Sequence, residues 1–154
     1  MSGRLSLMIW NNWIKLVTEV SKQIGLTYQP DIIVPAMNGG LIPATIISVN
    51  LQIKDIRPIS VGRRQRRRHL IYPELGDIGN LRHKKILIVE DDALTGLSFD
   101  FIKKLLLQKG AAEVRTVCIF KYKDLSGIDY YARAVKKFPC YPWKKPHFGD
   151  RAAN

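Results

Sequence analysis

The chain has 154 residues and is 46% hydrophobic, which suits one globular domain with a sizeable core. Twenty-five Lys and Arg face 13 Asp and Glu, a formal charge of +12 that attracts anions of any kind (nucleic acid, nucleotide, pyrophosphate, acidic lipid) without choosing among them. The two cysteines, Cys118 and Cys140, form no CxxC pair or Cys/His cluster, so neither a disulfide framework nor a structural zinc site is supported. No apolar run approaches the length of a membrane span, and MSGRLSLMIWNNW lacks the cleavage pattern of a signal peptide; the expectation is a cytoplasmic, reduced protein.

Segment 6–24 places Trp10, Trp13, Ile14, Val17, Val20 and Ile24 at helical spacing, with Gly25 expected to end the helix. DIIVP, 31–35, reads as a buried strand. AMNGG then turns into an apolar helix, LIPATIISVNL, where Pro43 suits the first turn. LQIKDIRPIS, 51–60, is a second strand candidate whose end Pro58 leaves doubtful. Next come Arg63, Arg64, Arg66, Arg67 and Arg68, then HLIY as a short strand. KKILIV, 84–89, is the clearest buried strand, SFDFIKKLLLQK, 98–109, a helix stopped by Gly110, and EVRTVCIF, 113–120, another strand. The aromatic, basic tail holds one more short strand around 131–136. Helices alternating with short apolar strands predict an α/β domain with a mostly parallel central sheet.

The chemistry concentrates where strand 84–89 runs into Glu90, Asp91 and Asp92. Ligands of open α/β sheets bind beyond the carboxyl ends of the strands. Three adjacent carboxylates there could hold a metal ion or a sugar diol, or could simply be an acidic strand end. Thr95, Gly96 and Ser98 follow at the start of the next helix, where free backbone N–H groups and hydroxyls suit an anion. A molecule bearing both a phosphate and a diol would satisfy both halves of this loop.

ILIVEDDALTGLS, 86–98, resembles the 5-phosphoribosyl-1-pyrophosphate (PRPP) motif of type I phosphoribosyltransferases: an apolar strand, two acids, a short variable stretch, then Thr-Gly-x-Thr/Ser. The resemblance spans roughly 8–145 and is closest to the 6-oxopurine members. It implies a single domain over 1–154, with a small hood formed by the N- and C-terminal segments and a flexible basic loop at about 60–72. It implies a homodimer, PRPP, a purine base and pyrophosphate as partners, Mg²⁺ as cofactor, and no membrane.

Residue by residue, the resemblance makes Glu90 and Asp91 the contacts to the ribose hydroxyls and the metal-binding carboxylates. Asp92 joins them as the third candidate catalytic acid and begins the phosphate loop. Asp92, Ala93, Leu94, Thr95, Gly96, Leu97 and Ser98 would cradle the 5-phosphate. Asn38, Gly39 and Gly40 would form the pyrophosphate loop, with Arg63 and Arg64 as candidates from a closing hood. Lys123, with Lys121 as the alternative, would face O6 of the base, and Trp143 would stack on it, with Phe138 or Tyr141 as substitutes. One departure stands out: many 6-oxopurine members carry an Asp, a proposed general acid–base, just before Thr-Gly, and here that residue is Leu94. The arginine run and Leu94 keep two other readings open: a PRPP-sensing, nucleic-acid-binding regulator on the same fold, and transfer to another base such as adenine, orotate or uracil.

Overall fold

The computed structural model describes residues 9–60, 64–66, 69–71, 78–141 and 143, with the backbone alone for 64–66 and 69–71. Along the chain run α1 (Trp10–Thr27), β1 (Ile32–Met37), α2 (Leu41–Leu51), β2 (Ile59–Ser60), β3 (Arg64–Arg66), β4 (His69–Ile71), β5 (Lys85–Ala93), α3 (Leu97–Gln108), β6 (Glu113–Tyr122) and β7 (Tyr130–Val135). Five strands form one sheet in the order β2-β1-β5-β6-β7, and each neighbouring pair is parallel. This is the expected α/β architecture. β3 and β4 pair antiparallel in a separate two-stranded ribbon, Arg64 opposite Ile71 and Arg66 opposite His69.

Both faces of the sheet are covered, so its central strands read as unbroken apolar runs. On one face, Trp13, Val17, Val20 and Ile24 of α1 and Ala44 and Ile47 of α2 pack on Ile33, Leu87, Val89, Val117 and Ile119. On the other, Phe99, Ile102 and Leu106 of α3 pack on Ile32, Val34, Ile86, Ile88, Val114 and Cys118. Among the described residues no helix is long and apolar enough to cross a membrane.

Three expectations change. Gly25 does not stop α1, which continues to Thr27. A Cβ on Gly25 would lie 3.2 Å from Leu51 Cδ2, so the glycine serves the close approach of α1 to α2. The strand expected over 51–60 shrinks to Ile59–Ser60, preceded by a bridge from Ile56 to Ile33. Pro58 and Pro35 both lack an N–H, and ladder pairing with β1 resumes only at Ala36 and Ile59. Strand 84–89 extends four residues further than expected, through all three acids to Ala93, because β6 pairs with it that far.

Candidate functional site

The sheet order decides where a crevice forms. The chain leaves β1 through α2 to β2 at one edge, then returns to β5 on the other side of β1. The connections after β1 and β5 therefore diverge, and the gap between the carboxyl ends of these two strands is the topological switch point. Asn38-Gly39-Gly40 follows β1 there, and Glu90-Asp91-Asp92 closes β5.

The two segments touch. A Cβ on Gly39 would overlap the Asp91 carboxylate, 2.5 Å from Cγ and 2.7 Å from Oδ2. A Cβ on Gly40 would stand 2.8 Å from Ala36 O and 2.9 Å from Ala36 N, and would also overlap Val89 O. Neither position has room for any side chain. The Gly40 amide donates to Ala36 O (2.9 Å) and is therefore not open to a ligand. The Met37–Asn38 peptide is cis.

The three acids have separate surroundings. Glu90 is half-buried and pairs in register with Cys118. Burial pushes the Cys118 thiol far up, and the Glu90 carboxylate adds to that rise. Asp91 is 6% exposed, and its Oδ1 accepts the Asp92 amide (2.9 Å). Asp92 stands opposite Phe120 in β6. Ile119 and Phe120 are consecutive yet both belong to the core under α1 and α2, so the regular alternation of sides shifts here. On that side lies Tyr141. Burial drives its phenol well above the usual tyrosine range, and the negative charges of Asp92 and then Asp91 raise it further.

The turn 94–96 separates β5 from α3. Gly96 adopts φ +74°, a left-handed conformation that favours glycine. The first amides of α3 have no intrahelical acceptor, so Leu97, Ser98 and Phe99 point N–H groups out of the helix start. Thr95 is exposed and Ser98 half-buried beside them. Leu94 and Leu97 are 58% and 49% exposed, and Met37, before the Asn38 turn, is 41% exposed. The mouth of the crevice is thus partly apolar. Because the Asp92 amide is already taken, the amides available to an anion begin beyond it.

The lysines differ. Lys121 pairs in register with Ala93, and its ammonium donates to Leu125 O (2.6 Å) while lying 4.6 Å from the Tyr131 ring centroid. Lys123, two residues beyond, is exposed and paired with Asp124 (3.2 Å). Trp143 belongs to an aromatic cluster. Its ring centroid is 4.7 Å from that of Trp13, 5.1 Å from Tyr141 in a near-parallel stack, and 5.5 Å from Trp10. Phe138 also packs against the core under α1. Arg63, Arg67 and Arg68 lie outside the described residues, and only the backbone of Arg64 and Arg66 is described, as part of the ribbon.

The sequence does not foretell the side on which Asp92 lies or its electrostatic influence on Tyr141. A strict two-residue alternation carries no sign of a shift at Phe120. Among the described residues no group of three or more His, Cys, Asp or Glu side chains converges on a metal position. Glu90 and Asp91 supply hard oxygen donors, which suit a Mg²⁺ ion shared with a substrate's phosphate oxygens better than one caged by protein alone.

The phosphoribosyl transferase domain family model matches residues 5–149. The fold is shared with a purine phosphoribosyltransferase from Pyrococcus horikoshii (TM-score 0.80, 24% identity, 91% of this chain and 93% of that one). It is shared also with a xanthine-guanine-hypoxanthine phosphoribosyltransferase from Helicobacter pylori (TM-score 0.76, 17% identity, 90% and 92%). A hypothetical protein from Neisseria gonorrhoeae with bound ppGpp has the same fold (TM-score 0.72, 17% identity, 92% and 90%). No curated protein matches the sequence.

Proposed function

The chain belongs to the phosphoribosyl transferase domain family, and on that premise we propose that it transfers the 5-phosphoribosyl group of PRPP to a 6-oxopurine base, releasing pyrophosphate and forming a nucleoside monophosphate. The observation that carries this reading is the seating of Gly39 on Asp91 at the β1/β5 switch point. It sets a turn with outward amides beside a carboxylate pair and the start of a helix, the three contacts that pyrophosphate, ribose diol and 5-phosphate each require.

In this reading the amides of Leu94 to Ser98, with the Thr95 and Ser98 hydroxyls, hold the 5-phosphate. Asn38 and Gly39 present amides to the pyrophosphate. Glu90 orients the ribose hydroxyls, and its negative charge favours the positive sugar carbon that develops as the pyrophosphate departs. Asp91, buried under Gly39, holds the pyrophosphate turn in register with β5. Glu90 and Asp91 would hold Mg²⁺, which supplies positive charge against the leaving pyrophosphate. Lys121 lies one strand from Ala93 and is the cation set to meet an exocyclic oxygen of the base, with Lys123 just past the end of that strand. Such a donor favours an oxo group over the amino group of adenine, itself a donor.

Leu94 cannot move a proton. The base is therefore assigned no protein acid–base at that position, and its leaving proton goes to solvent. The fold's presence in purine and xanthine-guanine-hypoxanthine phosphoribosyltransferases supports the choice of base class. A panel of hypoxanthine, guanine, xanthine, adenine and orotate with labelled PRPP tests it. Turnover of one or more of the first three is expected; turnover confined to adenine or orotate would overturn the assignment.

A further inference from the structure

Lys121 is half-buried near the end of β6, and two neighbours hold its ammonium. Leu125 O, in the connection to β7, accepts one of its three N–H donors at 2.6 Å. The Tyr131 ring centroid lies 4.6 Å from Nζ, within the range at which an ammonium is attracted to the face of an aromatic ring. The strand register explains how Tyr131 gets there. Tyr131 stands opposite Cys118, and register partners project to the same side of a sheet, so it lies on the α3 side. Lys121 is the register partner of Ala93, which belongs to the core on that same side. The Leu125 side chain packs on that core as well, and a Cβ on Gly96 would meet its Cδ1 at 3.4 Å. The ammonium is therefore fixed relative to the turn that opens α3, the turn assigned to the 5-phosphate.

The consequence concerns preorganisation. A free lysine side chain samples many rotamers, and a ligand that stops it loses that entropy from its own affinity. A lysine already held presents its donors without that loss. Leu125 O takes one N–H, so at least one is left for a ligand oxygen even with another aimed at the ring. We propose that Tyr131 is a positioning residue for base recognition: its ring, with the Leu125 carbonyl, holds the Lys121 ammonium in place for the exocyclic oxygen of the base, without itself touching the base. Tyr131 is 38% exposed, so its replacement leaves the core largely intact. This inference rests on the reading of Lys121 as the cation that meets the base.

The test is initial-rate kinetics with hypoxanthine, guanine and xanthine on the full chain, on Tyr131→Leu and Tyr131→Phe, and on Lys121→Met with and without Tyr131→Leu. Leu removes the ring; Phe keeps it and removes only the hydroxyl. The expected result is a rise of about two- to fivefold in KM for the base in Tyr131→Leu, the affinity equivalent of a partly exposed cation–π contact. Tyr131→Phe restores the wild-type KM, and KM for PRPP holds in both variants. In the Lys121→Met background the Leu substitution adds no further loss, because its effect passes through the ammonium. Four results would overturn the inference: an unchanged base KM in Tyr131→Leu, a Phe variant as impaired as the Leu one, a parallel rise in KM for PRPP, or the same loss repeated in the Lys121→Met background, since a packing role does not need the charge. A wild-type chain that turns over none of the three bases would instead remove the reading on which the inference rests, and the inference with it.

Discussion

Gly39 rests directly on the Asp91 carboxylate, close enough that a Cβ would meet Cγ at 2.5 Å. The contact joins the turn after β1 to the end of β5 and fixes the width of the crevice between them. Replacing Gly39 with Ala forces either the turn or the carboxylate to move. Gly39→Ala is expected to lower stability by about 1–3 kcal/mol and to reduce kcat/KM for PRPP by more than about tenfold. Thermal denaturation and initial rates measure the two effects; wild-type values for both would mean that the turn gives way without cost.

Glu90 is the half-buried carboxylate assigned to the sugar. Glu90→Gln keeps the shape and removes the charge. An interaction that strengthens as positive charge develops at the sugar acts on kcat more than on KM, and the expected fall in kcat is about 10²-fold. Steady-state kinetics with PRPP varied at saturating base distinguishes this from loss of ground-state binding, which would raise KM and leave kcat in place.

Much of the fold was legible. The apolar runs at 31–35, 84–89 and 113–120 and the helices between them are present, because strands buried on both faces must be apolar throughout. Residue-level propensity misleads where packing overrides it. Gly25 reads as a helix stop, yet sits within α1 because Leu51 needs the space. Glu90, Asp91 and Asp92 read as a loop, yet they are strand, since β6 offers backbone partners as far as Lys121. The site was legible as a motif but not as a geometry. The three neighbouring acids reach three different environments, and what separates them is the shift at Phe120 and the placement of Tyr141, both tertiary facts.

Arg57 bridges the approach to β2 and the segment before β5. Its guanidinium donates to Asp55 Oδ1 (2.8 Å) and Oδ2 (2.7 Å), to Ile78 O (2.7 Å) and to Asn80 O (3.1 Å). The hydrogen bonds from Arg57 hold the Asp55 carboxyl below its usual value. A carboxylate whose folded pKa is depressed contributes stability that is present above its unfolded pKa, about 3.9, and is lost as pH falls through the folded one. Amide exchange at Ile78 to Leu81 should therefore accelerate, relative to the sheet, below about pH 4. In Asp55→Asn the exchange at neutral pH should already be raised and the acid step reduced. An acid step of wild-type size in that variant would assign it to another group.

Trp13 is fully buried and touches Phe120, Tyr141 and Trp143. Trp13→Ala is expected to cost about 3–5 kcal/mol, a large share of the stability of a single domain. It should also release the C-terminal segment, which leans on this ring. Denaturant titration gives the cost, and limited proteolysis after Phe138 reports the release. A tail that remains protected in the variant would show that Trp10 and α1 hold it without Trp13.

The central claim is that the Gly39–Asp91 crevice binds PRPP and passes its ribosyl group to a 6-oxopurine. The most direct measurement incubates the full chain with labelled PRPP, Mg²⁺ and hypoxanthine, guanine or xanthine, and quantifies pyrophosphate and nucleoside monophosphate together. The account predicts that the two products appear in equal amounts with at least one of these bases and that Glu90→Gln suppresses both. Tight PRPP binding without either product for any base, or salt-sensitive RNA binding in place of turnover, would contradict it.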